Sequence, residues 1–184
     1  DVGLPGHEDV KTASNYTGNT HGSILTIGDK HYIFYHRQTN RDCFSRQACA
    51  EEIKIEKDGS IKQVEVTSCG LNGGPLRAEG SYPAYIACNL TSPKGGKFMS
   101  PFKCVGHPYF TQSKDEKPVP YIANVYNGVK AGFKYFDFKN EKVDFSITLK
   151  GKADGYFKVI IDDKEVGKVE VKPSKELATF KGEI

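Results

Sequence analysis

Alternation with a period of two constrains this chain more than any other feature. Val143, Phe145, Ile147 and Leu149 alternate with Asp144, Ser146 and Thr148, and Phe157, Val159 and Ile161 repeat the pattern. Apolar side chains two positions apart share one face of an extended strand, whereas a helix would scatter them. Asp162-Asp163-Lys164-Glu165 then turns the chain into Val166 to Lys172. This half predicts one-sided strands of a β-sandwich. No stretch carries a helical period, a repeat or low complexity.

The first half predicts an antiparallel unit. Ser23-Ile24-Leu25-Thr26-Ile27 is an apolar run, Gly28-Asp29-Lys30 a turn, and His31 to His36 an aromatic strand. Ala48 to Glu56 resumes with Ile53 and Ile55 on one face; Asp58-Gly59 is a hairpin turn, and Ile61 to Thr67 follows with Val64 and Val66 sharing a face. Three or four such strands make a propeller blade or half a sandwich. From about 70 to 122 the pattern is less regular. Gly70, Gly73, Gly74 and Pro75 punctuate it, Tyr85 to Cys88 reads as a short strand, and Pro93 to Gly96 and Lys114 to Pro120 read as loops. The expected boundaries are 1–92 for the blade with its exit segment and 93–184 for the sandwich. A lone blade leaves both apolar faces uncovered and cannot offset its ordering entropy. The unit opens without a first strand and the chain stops where a sandwich still needs strands, so a fragment of a longer protein is expected.

Composition removes several functions. Of the 184 residues, 26 are Lys or Arg and 23 are Asp or Glu, interspersed for a net charge of +3, so nucleic-acid binding has no electrostatic footprint. No apolar run approaches the roughly 20 residues that span a bilayer, so no membrane partner is expected. Asp1 to Gly6 has no signal-peptide character. Five Cys cannot all pair within one chain. Cys49 and Cys88 sit in apolar runs and read as buried small residues; Cys43, Cys69 and Cys104 lack the C-x-x-C spacing of a zinc site. There is no nucleophile elbow, P-loop or dinucleotide fingerprint. Asn15-Tyr16-Thr17 and Asn89-Leu90-Thr91 fit the glycosylation pattern, which chance also produces.

The densest polar cluster is Asn19-Thr20-His21-Gly22-Ser23, followed by His36-Arg37-Gln38-Thr39 and Ser45-Arg46-Gln47. From residue type alone, His21 reads as a hydrogen-bonded loop residue before it reads as a metal ligand, and Arg37 and Arg46 as ion-pair residues before substrate clamps.

Three segments add a resemblance: Gly18 to Ile24, Tyr32-Ile33-Phe34-Tyr35-His36-Arg37-Gln38-Thr39, and Phe44-Ser45-Arg46-Gln47-Ala48-Cys49-Ala50-Glu51. They resemble the last blade of glycoside hydrolase family 43, and Tyr82-Pro83-Ala84-Tyr85-Ile86-Ala87-Cys88 resembles the segment leaving that propeller. The resemblance covers about residues 1 to 92. It implies a five-bladed β-propeller acting on arabinose- and xylose-containing polysaccharides (arabinoxylan, xylan) as an α-L-arabinofuranosidase or β-xylosidase. Inversion there uses one carboxylate to activate water and one carboxylic acid to protonate the leaving oxygen. Those carboxylates belong to earlier blades, so the resemblance implies no catalytic residue in this chain, and neither Asp58 nor Glu79 is drafted for the role. His21 matches the family's axial histidine, a ligand of a central calcium or of its water shell. Arg37 matches a basic position facing the sugar, and Arg46 joins it as a substrate-binding candidate, because a guanidinium fork holds hydroxyls or orients a carboxylate.

Tyr121-Ile122-Ala123-Asn124, Ala131 to Phe138 and Gly155 to Asp162 resemble, more weakly, a carbohydrate-binding module of family 6. A stacking Trp of that pattern is replaced by Val129-Lys130, with Tyr126 nearby as a substitute. The expectation is therefore an all-β chain, one blade of a five-bladed propeller plus an incomplete jelly-roll-like sandwich, from a secreted or periplasmic glycosidase whose partners include the missing blades. The alternatives are a non-catalytic carbohydrate-binding or scaffold module and a β-rich interaction domain with no sugar role.

Overall fold

The computed structural model describes residues 21–41, 44–93, 97–100, 103–139 and 142–184. Three strands open it: β1 (Ser23–Ile27), β2 (Lys30–Gln38) and β3 (Arg46–Ile53), an antiparallel sheet in that order. Gly28, at a φ of 64°, supplies the left-handed backbone of the β1–β2 turn, and Ser23 to Ile27 pair with Phe34 to Lys30. The expected turn at Asp58-Gly59 is present: Gly59 N donates to Glu56 O at 2.9 Å, and an isolated bridge joins Ile55 to Ile61.

The strand expected over Ile61 to Thr67 stops at that bridge. Its backbone is drawn away, because Thr67 N donates to the Glu51 carboxylate at 2.7 Å and Ser68 N to Lys134 O. The strand expected over Tyr85 to Cys88 is also corrected. Ala84–Ile86 is a 3₁₀ turn entered from Pro83, in which Ile86 N bonds Pro83 O and Ala87 N bonds Ala84 O, both at 3.1 Å. A turn exposes the Tyr85 and Ala87 carbonyls to a side-chain donor, where a strand would commit them to a ladder.

The chain separates into two compact units, Asp1–Asp137 and Phe138–Ile184, and the expected 92/93 boundary falls inside the first. Short paired strands build the rest of that unit. β4 (Leu76–Arg77) lies parallel to β11 (Phe136–Asp137), and β5 (Asn89–Thr91) is antiparallel to β10 (Lys130–Gly132). The pairs β6 (Lys97–Ser100) with β7 (Lys103–Val105) and β8 (Tyr109–Gln112) with β9 (Pro120–Ala123) are antiparallel hairpins. Ala87, Leu90 and Phe110 form a buried cluster, with Tyr85 and Ile122 against it. Burying such side chains contributes about 1.5–3 kcal/mol for each large one.

The second unit has two antiparallel pairs: β12 (Asp144–Gly151) with β15 (Ser174–Glu183), and β13 (Gly155–Ile161) with β14 (Lys164–Val171). The predicted alternation is realised: Phe145, Ile147 and Leu149 are half-buried while Asp144, Ser146 and Thr148 are exposed. Asp162 and Asp163 both take positive φ, 47° and 65°, which suits the two-residue turn between β13 and β14. Val169 and Val171 are the buried centre. A methyl built on Gly182 would lie 2.7 Å from Lys168 O, and one on Gly167 would lie 2.5 Å from Glu183 O, so both glycines let β14 and β15 approach. Among the described residues the chain is all-β, with only short 3₁₀ turns.

Candidate functional site

The β1–β2–β3 sheet presents different chemistry on its two faces, and alternation along β2 sorts the side chains. Arg37 and Tyr35 fall on one face with their cross-strand partners Gln47 and Cys49. Arg37 is 8% exposed. Its Nη1 donates to Ala87 O at 2.5 Å, its Nη2 to Tyr85 O, and its Nε to Gln47 Oε1 at 3.0 Å. The guanidinium carbon stands 3.5 Å from the centre of the Phe110 ring. The planar fork thus joins two carbonyls of the 3₁₀ turn to β3 and stacks on the core aromatic, which a lysine cannot do. Burial lowers the Arg37 pKa, and the group keeps its charge. Burial also raises the Tyr35 hydroxyl and the Cys49 thiol, so both stay neutral near pH 7.

Glu51 lies farther along this face and is 5% exposed. It accepts from Thr67 N and Thr67 Oγ1, each at 2.7 Å, and from Tyr35 OH at 3.2 Å. Three donors on one carboxylate hold the chain after the hairpin against β3.

The opposite face carries His21 and His36. Their ring centres are 4.5 Å apart and tilted by 55°. His21 therefore meets His36, and Arg37, one residue on, points to the other side. No group of three or more His, Cys, Asp or Glu side chains among the described residues is placed to hold a metal ion. Arg46 is exposed at the start of β3, across from Gln38, which is 5% exposed and whose Nε2 has no hydrogen-bond partner. The structure thus brings His21 together with His36, and Arg37 with the 3₁₀ turn at Ala84–Ile86; Arg46 lies one register step beyond Arg37 on the neighbouring strand.

One polar cluster had no signal in the sequence. Lys134 Nζ lies 2.5 Å from Glu65 Oε1 and Tyr135 OH donates to Glu65 Oε2 at 2.6 Å, a contact across 69 residues for the lysine. Lys134 and Tyr135 together hold the Glu65 carboxyl below its ordinary value, and Glu65 raises the Tyr135 hydroxyl.

Asp58, Glu79, Tyr126 and the cysteines have local roles. Asp58 accepts from Ser60 N at 3.0 Å and Ser60 Oγ at 2.7 Å, and Glu79 is exposed in its loop. Tyr126 OH donates to Gly106 O at 2.8 Å. Cys88 is buried, with Sγ 3.4 Å from Gly132 O, and Asn89 Nδ2 turns to that sulfur at 3.4 Å. Cys69 is buried and Cys49 half-buried, and all three thiols are free. Asn15, Asn19, Thr20 and Cys43 lie outside the described residues, as does the side chain of Cys104.

No protein-family model matches the chain, and no solved structure matches it. A protein of Thermoclostridium stercorarium named xylosidase/arabinosidase is 42% identical over 197 residues, an alignment that covers 100% of this chain and 40% of the relative. The chain is therefore related along its whole length to a protein named for glycosidase activity, and it spans well under half of that protein.

Proposed function

We propose that this chain is the non-catalytic β-rich part of a glycoside hydrolase acting on arabinose- and xylose-containing polysaccharides. The carrying observation is the 42% identity to the xylosidase/arabinosidase along the entire chain, which spans only 40% of that relative. One buried carboxylate fits the reading: Glu51 is held by Thr67 and Tyr35 and so does structural work. In this proposal the general acid and base come from the rest of the parent, in the inverting geometry of family 43. The sheet β1 to β3, with the segment up to residue 92, belongs to its last propeller blade, and β12 to β15 of the second unit belong to a module of the family 6 type. The parent is secreted or periplasmic, where its polysaccharide is found.

Arg37 is a positioning residue in this reading, since it fixes the 3₁₀ turn behind the sheet, and Arg46 is the direct contact to sugar hydroxyls. His21 would hold a water of a structural calcium, because that ion prefers oxygen ligands and the pair of imidazoles offers nitrogen. The test is expression of the longer parent beside this chain, with aryl arabinofuranoside and aryl xyloside as substrates. Turnover by the parent supports the proposal; a parent inert on both pentosides overturns it in favour of the scaffold alternative.

A further inference from the structure

Glu65, Lys134 and Tyr135 form a preorganised group that the function above does not use. The Tyr135 residue is 48% exposed, and the Glu65 and Lys134 side chains are 39% and 21% exposed. The cluster is thus open to solvent while its geometry is fixed by two charge-assisted bonds, at 2.5 and 2.6 Å. Each bond uses one site on each carboxylate oxygen, leaving further lone pairs to accept, and the ammonium retains other protons to donate.

We propose that the exposed Tyr135 ring, with Glu65 and Lys134 locked at its hydroxyl edge, is a stacking subsite for one neutral pentose unit of a xylan-type polysaccharide. The choice of a pentose rests on the glycosidase reading above. The choice of a neutral diol rests on the cluster itself. An anion would meet the carboxylate and a cation the ammonium, whereas a diol donates one hydroxyl to Glu65 and accepts at the other from Lys134. The apolar C–H face of the sugar covers the ring, and the polar groups at its edge fix the orientation. Because the side chains are already ordered, little rotamer entropy is lost on binding. A single stacking residue gives weak affinity, a Kd on the order of 1 mM.

The test is a titration of the full 184-residue chain with xylohexaose, followed by amide NMR. Shifts should concentrate at Glu65, Lys134 and Tyr135. Tyr135→Ala should raise Kd at least about tenfold, and Tyr135→Phe, which keeps the ring, by no more than about threefold. Glu65→Gln should weaken binding without removing it, and serves as the second variant if Tyr135→Ala fails to fold. The subsite is overturned if no amide shifts, if shifts map elsewhere, or if Tyr135→Ala and Glu65→Gln bind as the parent chain does. Equal shifts with cellohexaose overturn the pentose assignment. Each of these results leaves hydrolysis by the longer parent untouched, and an inert parent leaves the mapped binding untouched, so the two readings fail separately.

Discussion

Arg37 Nη1 donates to Ala87 O at 2.5 Å across 50 residues of chain, and so ties the middle strand of the first sheet to the segment that leaves it. The same guanidinium reaches Tyr85 O and Gln47 Oε1 and stacks on Phe110. Arg37→Ala strands Ala87 O and leaves Tyr85 O only the long contact from Gln47 Nε2 at 3.4 Å, at about 1–3 kcal/mol for a buried group left unpaired. Stability should fall by roughly 1–4 kcal/mol in urea denaturation. Arg37→Lys should recover less than half of the loss, because an ammonium cannot span the fork. Full stability in either variant would remove the clamp.

Leu90 is fully buried between Ala87 and Phe110. Leu90→Ala should cost about 2–5 kcal/mol through lost transfer energy and the residual cavity. Denaturant melts of the variant and the parent chain check it; a loss below about 1 kcal/mol would place Leu90 outside a packed core.

In the second unit, Gly182→Ala puts a methyl 2.7 Å from Lys168 O and 3.1 Å from Val169 Cγ2. The contact requires the backbones of β14 and β15 to separate, at about 1–3 kcal/mol. Amide exchange should speed up within 138–184. Unchanged exchange there would mean that the strands do not meet at this glycine.

Glu65 gives a pH signature. Its folded carboxyl lies below the ordinary value of 4.5 because Lys134 and Tyr135 bond the charged form. A group depressed in the folded state contributes stability above its unfolded pKa and loses it as pH falls through the folded pKa. The parent chain should therefore lose stability as pH drops below about 4.5, and Glu65→Gln should show a shallower loss over that window. The side chain is more than a third exposed, so solvent screening keeps the difference small and it is best read as a displaced acid midpoint. Superimposable acid titrations would show that the cluster is not formed in solution.

The chain by itself should not hydrolyse aryl arabinofuranosides or aryl xylosides. Loss of general acid–base catalysis removes about 100- to 10,000-fold per group. Turnover by the purified chain well above the uncatalysed rate would place the acid and base inside these residues.

Local sequence determined the strands and their turns. Alternation in Val143–Leu149 and Phe157–Ile161 specified β12 and β13, since the period of two acts over a few residues. Gly28, Gly59 and the Asp162-Asp163 pair specified three turns through the backbone they tolerate. The resemblance in the first half implies roles for His21, Arg37 and Arg46. What tertiary structure decided was which partners these side chains meet. The strand expected over Ile61 to Thr67 gave way because Glu51 captures Thr67, and the one expected over Tyr85 to Cys88 became a turn whose carbonyls Arg37 collects. β15 had no expectation, because the alternation of Ala178, Phe180 and Gly182 is weak and its pairing with β12 supplies the order. Glu65, Lys134 and Tyr135 are ordinary surface residues in the sequence; their contact spans about seventy positions. Period and turn chemistry are local and legible from a few neighbours, whereas a charge finds its partner only after the chain has folded over it.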